Sequence, residues 1–207
     1  MTKTTKGASG SAEARGLSKV EAATAAEILE RYEPSEEASS LLVEGMSPID
    51  YFDALRAKQL AEDAIAFLAY ALPRREGLLW GLRCVTSITP EEPAEAIAAA
   101  LAAAQAWIDE PSEEKRYEAF AAAEAATYDT PAGCLALAVF FSEGSLAPAD
   151  CPAVPVGEWF CARTLAIAVH VGCLTLPQDQ APKTAAEFLD LGFGIANEPA
   201  PWDSAAS

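Results

Sequence analysis

Three dipeptides constrain this chain more than any other feature: Ser47-Pro48, Thr89-Pro90 and Thr130-Pro131. Each places a hydroxyl, able to accept from an unpaired backbone amide, directly before a proline whose ring already holds the helical φ. Each therefore predicts the start of a helix. The stretches that follow them are rich in alanine, the strongest helix former, and 51% of the chain is hydrophobic, so the sequence cannot remain unfolded and should fold mainly as helices. Further starts are predicted at two capping-box patterns, Ser18 with Glu21 and Thr184 with Glu187, and at Ser112 after the break at Pro111.

Periodicity fills in the remainder. Ile97, Leu101, Ala104 and Ile108 fall on one helical stripe and should enter the core. Cys134 to Phe141 is apolar on every side, which predicts a central helix stopped by Gly144 in the left-handed conformation. The segment carrying Leu165, Ile167, Val169 and Val171 alternates as a strand would, but no partner strand is offered elsewhere, so it is assigned as helix. Between Glu33 and Gly45 the expectation is a loop with a short helix through Leu41, Leu42 and Val43. Residues 1–17, rich in Gly, Ser, Thr and Ala, are expected to be a disordered tail. The fold class is thus all-α: one domain over residues 18–207, an irregular bundle of about seven to nine mostly antiparallel helices.

Charge removes several functions. The formal net charge is −17, and Lys3, Lys6, Arg15 and Lys19 sit in the only basic stretch, so no surface is expected to neutralise phosphates and nucleic acid is excluded as a partner. No apolar run is long enough to span a bilayer, and no signal-type run follows the start, which predicts a cytoplasmic protein without membrane contact. Cys84, Cys134, Cys151, Cys161 and Cys173 form no C-x-x-C pair and read as reduced, mostly core residues. His170 is the lone histidine, so neither a zinc helix nor a di-iron bundle motif is available. No metal site, cofactor or catalytic residue is expected. The paired acids Glu91-Glu92 and Glu113-Glu114 are read as first-turn residues that complement helix dipoles.

One segment breaks a local rule. At Pro73-Arg74-Arg75-Glu76 a proline opens a helix and two arginines occupy the positively polarised first turn, where something must compensate them. Glu76, Trp80 and Arg83 continue as one stripe, and Trp107 and Arg116 are candidates to join it. These seven residues read either as an ion-pair network reaching the acids of the Asp109 to Glu114 turn or as a pocket for an anion or a protein partner. A second candidate is the loop Phe141 to Pro148, with Ser142, Gly144, Ser145 and Pro148. Pro201-Trp202 should dock an extended tail through its indole.

Through Leu72-Pro73-Arg74-Arg75-Glu76 with Trp80, the Ala-rich helix ending at Trp107, the Phe141 to Pro148 loop and Pro201-Trp202, the chain resembles an uncharacterised bacterial family of unknown function over about residues 67–202. Members of that family tend to be encoded beside type VI secretion genes, and the resemblance implies no residue role. Three readings follow: a non-catalytic adaptor or chaperone-like accessory protein of such a system, a small enzyme or anion binder using Arg74, Arg75 and Arg116, or an acidic mimic of DNA.

Overall fold

The computed structural model describes residues 16–147 and 151–206. Among them lie ten α-helices and a closing 3-10 helix, with no strand: α1 (Ala25–Leu29), α2 (Glu36–Ser39), α3 (Pro48–Ala57), α4 (Ala61–Ala71), α5 (Arg74–Ile88), α6 (Glu95–Asp109), α7 (Glu113–Ala126), α8 (Pro131–Phe140), α9 (Phe160–Leu174), α10 (Ala181–Asn197) and the 3-10 helix Pro201–Ala206. The eight longer helices form a single all-α bundle, and α1 and α2 are short additions at its entrance. Residues 1–15 of the expected tail lie outside the described residues. Leu17, inside the expected tail, is buried in the core.

Two of the three hydroxyl-proline starts are real. Ser47 accepts from the amide of Asp50 and Thr130 from that of Gly133, with proline next in each case. Thr89-Pro90 is instead an end. The Thr89 hydroxyl donates back to the carbonyl of Val85 and closes α5, while α6 begins only at Glu95, so Glu91 and Glu92 are exposed linker residues rather than first-turn acids. Two capping-box expectations also shift. Thr24 with Glu27, not Ser18 with Glu21, caps α1; the Ser18 hydroxyl is used to donate to the carbonyl of Ala196 and ties the entrance of the chain to the end of α10. Thr184 lies inside α10, donating to the Gln180 carbonyl. The short helix expected at Leu41 to Val43 forms earlier, at Glu36–Ser39, because Ser35 caps it; Gly45 does take the left-handed φ of 73°.

The all-apolar helix α8 is the centre, packed against α5, α6, α7 and α9. Its buried alanines, Gly133 and Cys134 leave neighbouring helices room to approach. Helices α5 and α9 also approach closely, since a Cβ on Gly81 would sit 2.4 Å from Leu165. Trp80 is fully buried, and its indole nitrogen donates to the Phe188 carbonyl of α10 at 2.7 Å. Gly192 makes that possible, since a side chain there would press on the indole ring. Burying such an aromatic stabilises by roughly 2–3 kcal/mol, more than any exposed ion pair of this chain could supply. Cys84, Cys134, Cys161 and Cys173 are buried free thiols, and Cys151 is exposed. Burial pushes the Cys173 thiol up to about 11 and the Cys161 thiol up to about 12.

Candidate functional site

Three arginines of this chain share one arrangement. Helices α4, α6 and α8 have no basic residue in their last turn, and each receives a guanidinium from another element at its carbonyl end. Arg31 donates to the carbonyl of Tyr70 at 2.7 Å and lies over the Trp159 ring. Arg75 donates to the carbonyls of Ile108 and Asp109 at 2.6 and 2.7 Å and stacks on Trp202 at 4.0 Å. Arg116 donates to the carbonyl of Phe140 at 2.7 Å and lies against the rings of Tyr117 and Phe140. A helix carbonyl end carries partial negative charge, so a cation there is favourable, and the flat guanidinium accepts an aromatic cover.

This arrangement resolves the rule broken at Pro73-Arg74-Arg75-Glu76. Arg75 stands at the unfavourable end of α5 but at the favourable end of α6. It reaches the expected turn, although it binds carbonyls there rather than carboxylates. Trp202 packs by its indole with Arg75 as its lid, but the segment is the 3-10 helix Pro201–Ala206 rather than the extended tail the sequence suggested. Trp80 and Trp107 are core residues, Glu76 is half-buried, and Arg83 is exposed on the rim of a shallow cavity that also touches Trp202 and Asp109.

Arg116 is fully buried, and it holds a different region. Two of its nitrogens form a bidentate pair with Glu113 at 2.6 and 2.7 Å, and Nη2 also donates to the carbonyl of Ser145 at 2.8 Å. Hydrogen bonding to this guanidinium holds the Glu113 carboxyl below its usual range and raises Arg116. Tyr117 adds a bond to the Ala147 carbonyl, and the Ser145 hydroxyl accepts from the amides of Ala147 and Val154. Gly144 is required at this clasp: its φ is +76°, and a Cβ would lie 2.8 Å from Glu113. Ser142 is buried, and its hydroxyl has no partner among the described residues. Pro148 lies outside the described residues. The candidate residues therefore do not converge, since Arg116 spends its donors on Glu113, Phe140 and Ser145 and Arg75 spends its own on α6.

Arg74 alone of the seven lines a cavity of about 260 Å³ between α4, α5 and α9. Tyr70, Trp159 and Cys161 line it with Arg31, Glu21 and Glu158. Arg74 opposes, by its charge, the upward shift that burial imposes on Cys161. The start of α5 beside it has no side-chain cap.

A second surface escaped the sequence reading. Phe160, Ile167 and Leu174 are 46%, 45% and 63% exposed, and on α9 they are seven residues apart, so they form one ridge along its outward face. Arg163 and His170 line one edge of that ridge, Thr164 and Val171 the other. The apolar alternation that made this segment look like a strand conceals which side faces out.

Among the described residues no His, Cys, Asp and Glu side chains cluster as metal ligands, and no helix is long and apolar enough to cross a membrane. The model of a family of unknown function (DUF6931) matches residues 51–196, which run from α3 to α10 and leave out Pro201-Trp202. No curated protein and no solved structure matches the chain.

Proposed function

The chain belongs to the DUF6931 family, and from its geometry we propose that it is a non-catalytic adaptor or chaperone-like accessory protein that works by protein–protein contact, in a bacterial type VI secretion system. The observation that carries the contact reading is the ridge Phe160, Ile167, Leu174. Large apolar side chains left half-exposed in line on one helix, rather than scattered, are the usual mark of a partner surface. The secretion context has narrower support, the gene neighbourhood implied by the sequence resemblance.

A photo-crosslinking amino acid placed at Ile167 in the native host tests both parts. The adaptor reading expects one dominant adduct at position 167 that is missing when the same group replaces Glu62, an exposed residue of α4. Equal labelling at both positions, or none at 167, sinks it. An adduct with a protein unrelated to secretion removes the secretion context alone.

The 260 Å³ cavity favours a second reading, a small anionic ligand held by Arg74. Arg74 and Arg31 form the basic part of such a site, because Arg116 is buried elsewhere. Thermal shifts with phosphate and carboxylate metabolites decide it: a true ligand raises the melting temperature of the native chain and not of Arg74→Ala.

A further inference from the structure

In the ten helices only α8 and α9 lack carboxylates. For α8 burial is sufficient reason. Helix α9 faces solvent along one side, and this chain elsewhere coats its solvent faces with acid: Glu113, Glu114, Glu118 and Glu124 on α7, for example, are all exposed. A water-facing surface that excludes the commonest charge of the chain and shows Phe160, Ile167 and Leu174 instead is specified by something other than water.

The spacing says what shape that is. Residues at every seventh position supply one of the two heptad positions of a seam for a second helix, Thr164 and Val171 fall at the other, and this seam runs about 21 Å. The edges say what charge it carries. Arg163 and His170, also seven apart, border one side, and Thr164 and Val171 the other. Resting on the reading of this chain as an interaction module, we infer that the outward face of α9 docks an amphipathic helix of a different protein, with carboxylates along the edge that meets Arg163 and His170.

A second copy fits less well. Helix α9 has no carboxylate to offer Arg163. Parallel pairing sets Arg163 against Arg163, and antiparallel pairing about Ile167 sets it beside Val171. Each copy also carries a net charge of −17. An anionic membrane meets the same overall repulsion, with Arg163 as the one full positive charge in the helix.

Two synthetic helical peptides with the same leucine heptads, one flanked by glutamate and one by lysine, test the inference against the full chain by fluorescence anisotropy. At low ionic strength the glutamate peptide should bind about tenfold more tightly, and the gap should narrow as salt is added. Arg163→Glu should cancel or reverse the preference, and Ile167→Asp should abolish binding of both, with circular dichroism showing that each variant is folded. Equal affinity for the two peptides, indifference to both substitutions, or binding of neither overturns the inference. So does sedimentation as a dimer that Ile167→Asp dissociates, or binding to phosphatidylserine vesicles lost in the same variant. A cellular adduct at position 167 with neither peptide bound overturns the helix assignment and leaves the adaptor reading standing. The expected peptide behaviour with no cellular adduct overturns the adaptor reading alone.

Discussion

The start of α7, where it meets the end of α8, and the outward face of α9 each centre on one arginine, and the two are opposites. Arg116 is wholly buried, grips Glu113 with two nitrogens, and donates to the ends of α8 and of the loop that follows. Arg163 stands in solvent beside an apolar ridge. The same side chain has been used once to hold the chain to itself and once to present a charge outward, and the number of its donors met within the fold tells which. A cation whose three nitrogens are all engaged inside is part of the architecture; one that makes no side-chain hydrogen bond or ion pair among the described residues, and acts on the fold only through its charge beside Tyr70, is available to something else.

The comparison can be broken by substitution. Arg116→Met should have the largest effect, a loss of about 3 kcal/mol in denaturant unfolding, because it leaves buried carbonyls without donors. A loss under about 0.5 kcal/mol would show that water replaces the clasp. Gly144→Ala should follow at about 2 kcal/mol, since it forces a side chain into a left-handed backbone and against Glu113. Trp202→Ala, which uncovers Arg75, should cost about 1 kcal/mol and expose the last residues to carboxypeptidase before the core unfolds. Glu113→Gln should act through pH. The folded carboxyl lies below the ordinary value of 4.5, so the stability it gives is complete above that value and fades as pH falls through the lower folded one. An acid titration of stability should therefore be shallower in the variant; parallel curves would count against the pairing. At Arg163→Ala the effect should be smallest, within about 0.5 kcal/mol, and a larger loss would place this arginine with the structural ones.

Much of the bundle was legible because helix starts are local chemistry. Ser47, Ser112 and Thr130 each need only an amide a few residues on, and all three were found. Thr89 was misread because a hydroxyl serves equally well at a helix end, and only the five-residue gap to α6 distinguishes the two uses. Thr184 and Glu187 repeat a cap pattern inside a helix that Pro182 allows to begin earlier. The candidate site was legible as an anomaly and not as a geometry. The two arginines after Pro73 announced that something opposes them, but carbonyls at the end of α6 are backbone atoms and leave no signature in residue type. The α9 face was invisible for another reason, since residues turned to the core and residues turned outward are there equally apolar.

The four buried thiols have a practical consequence. Burial keeps Cys84, Cys134, Cys161 and Cys173 protonated and shielded, while Cys151 lies in the open connection before α9. A maleimide dye should therefore mark the native chain at one point without any engineering. Reaction of the other four then becomes a clock for opening of the bundle, readable by mass as each added label arrives.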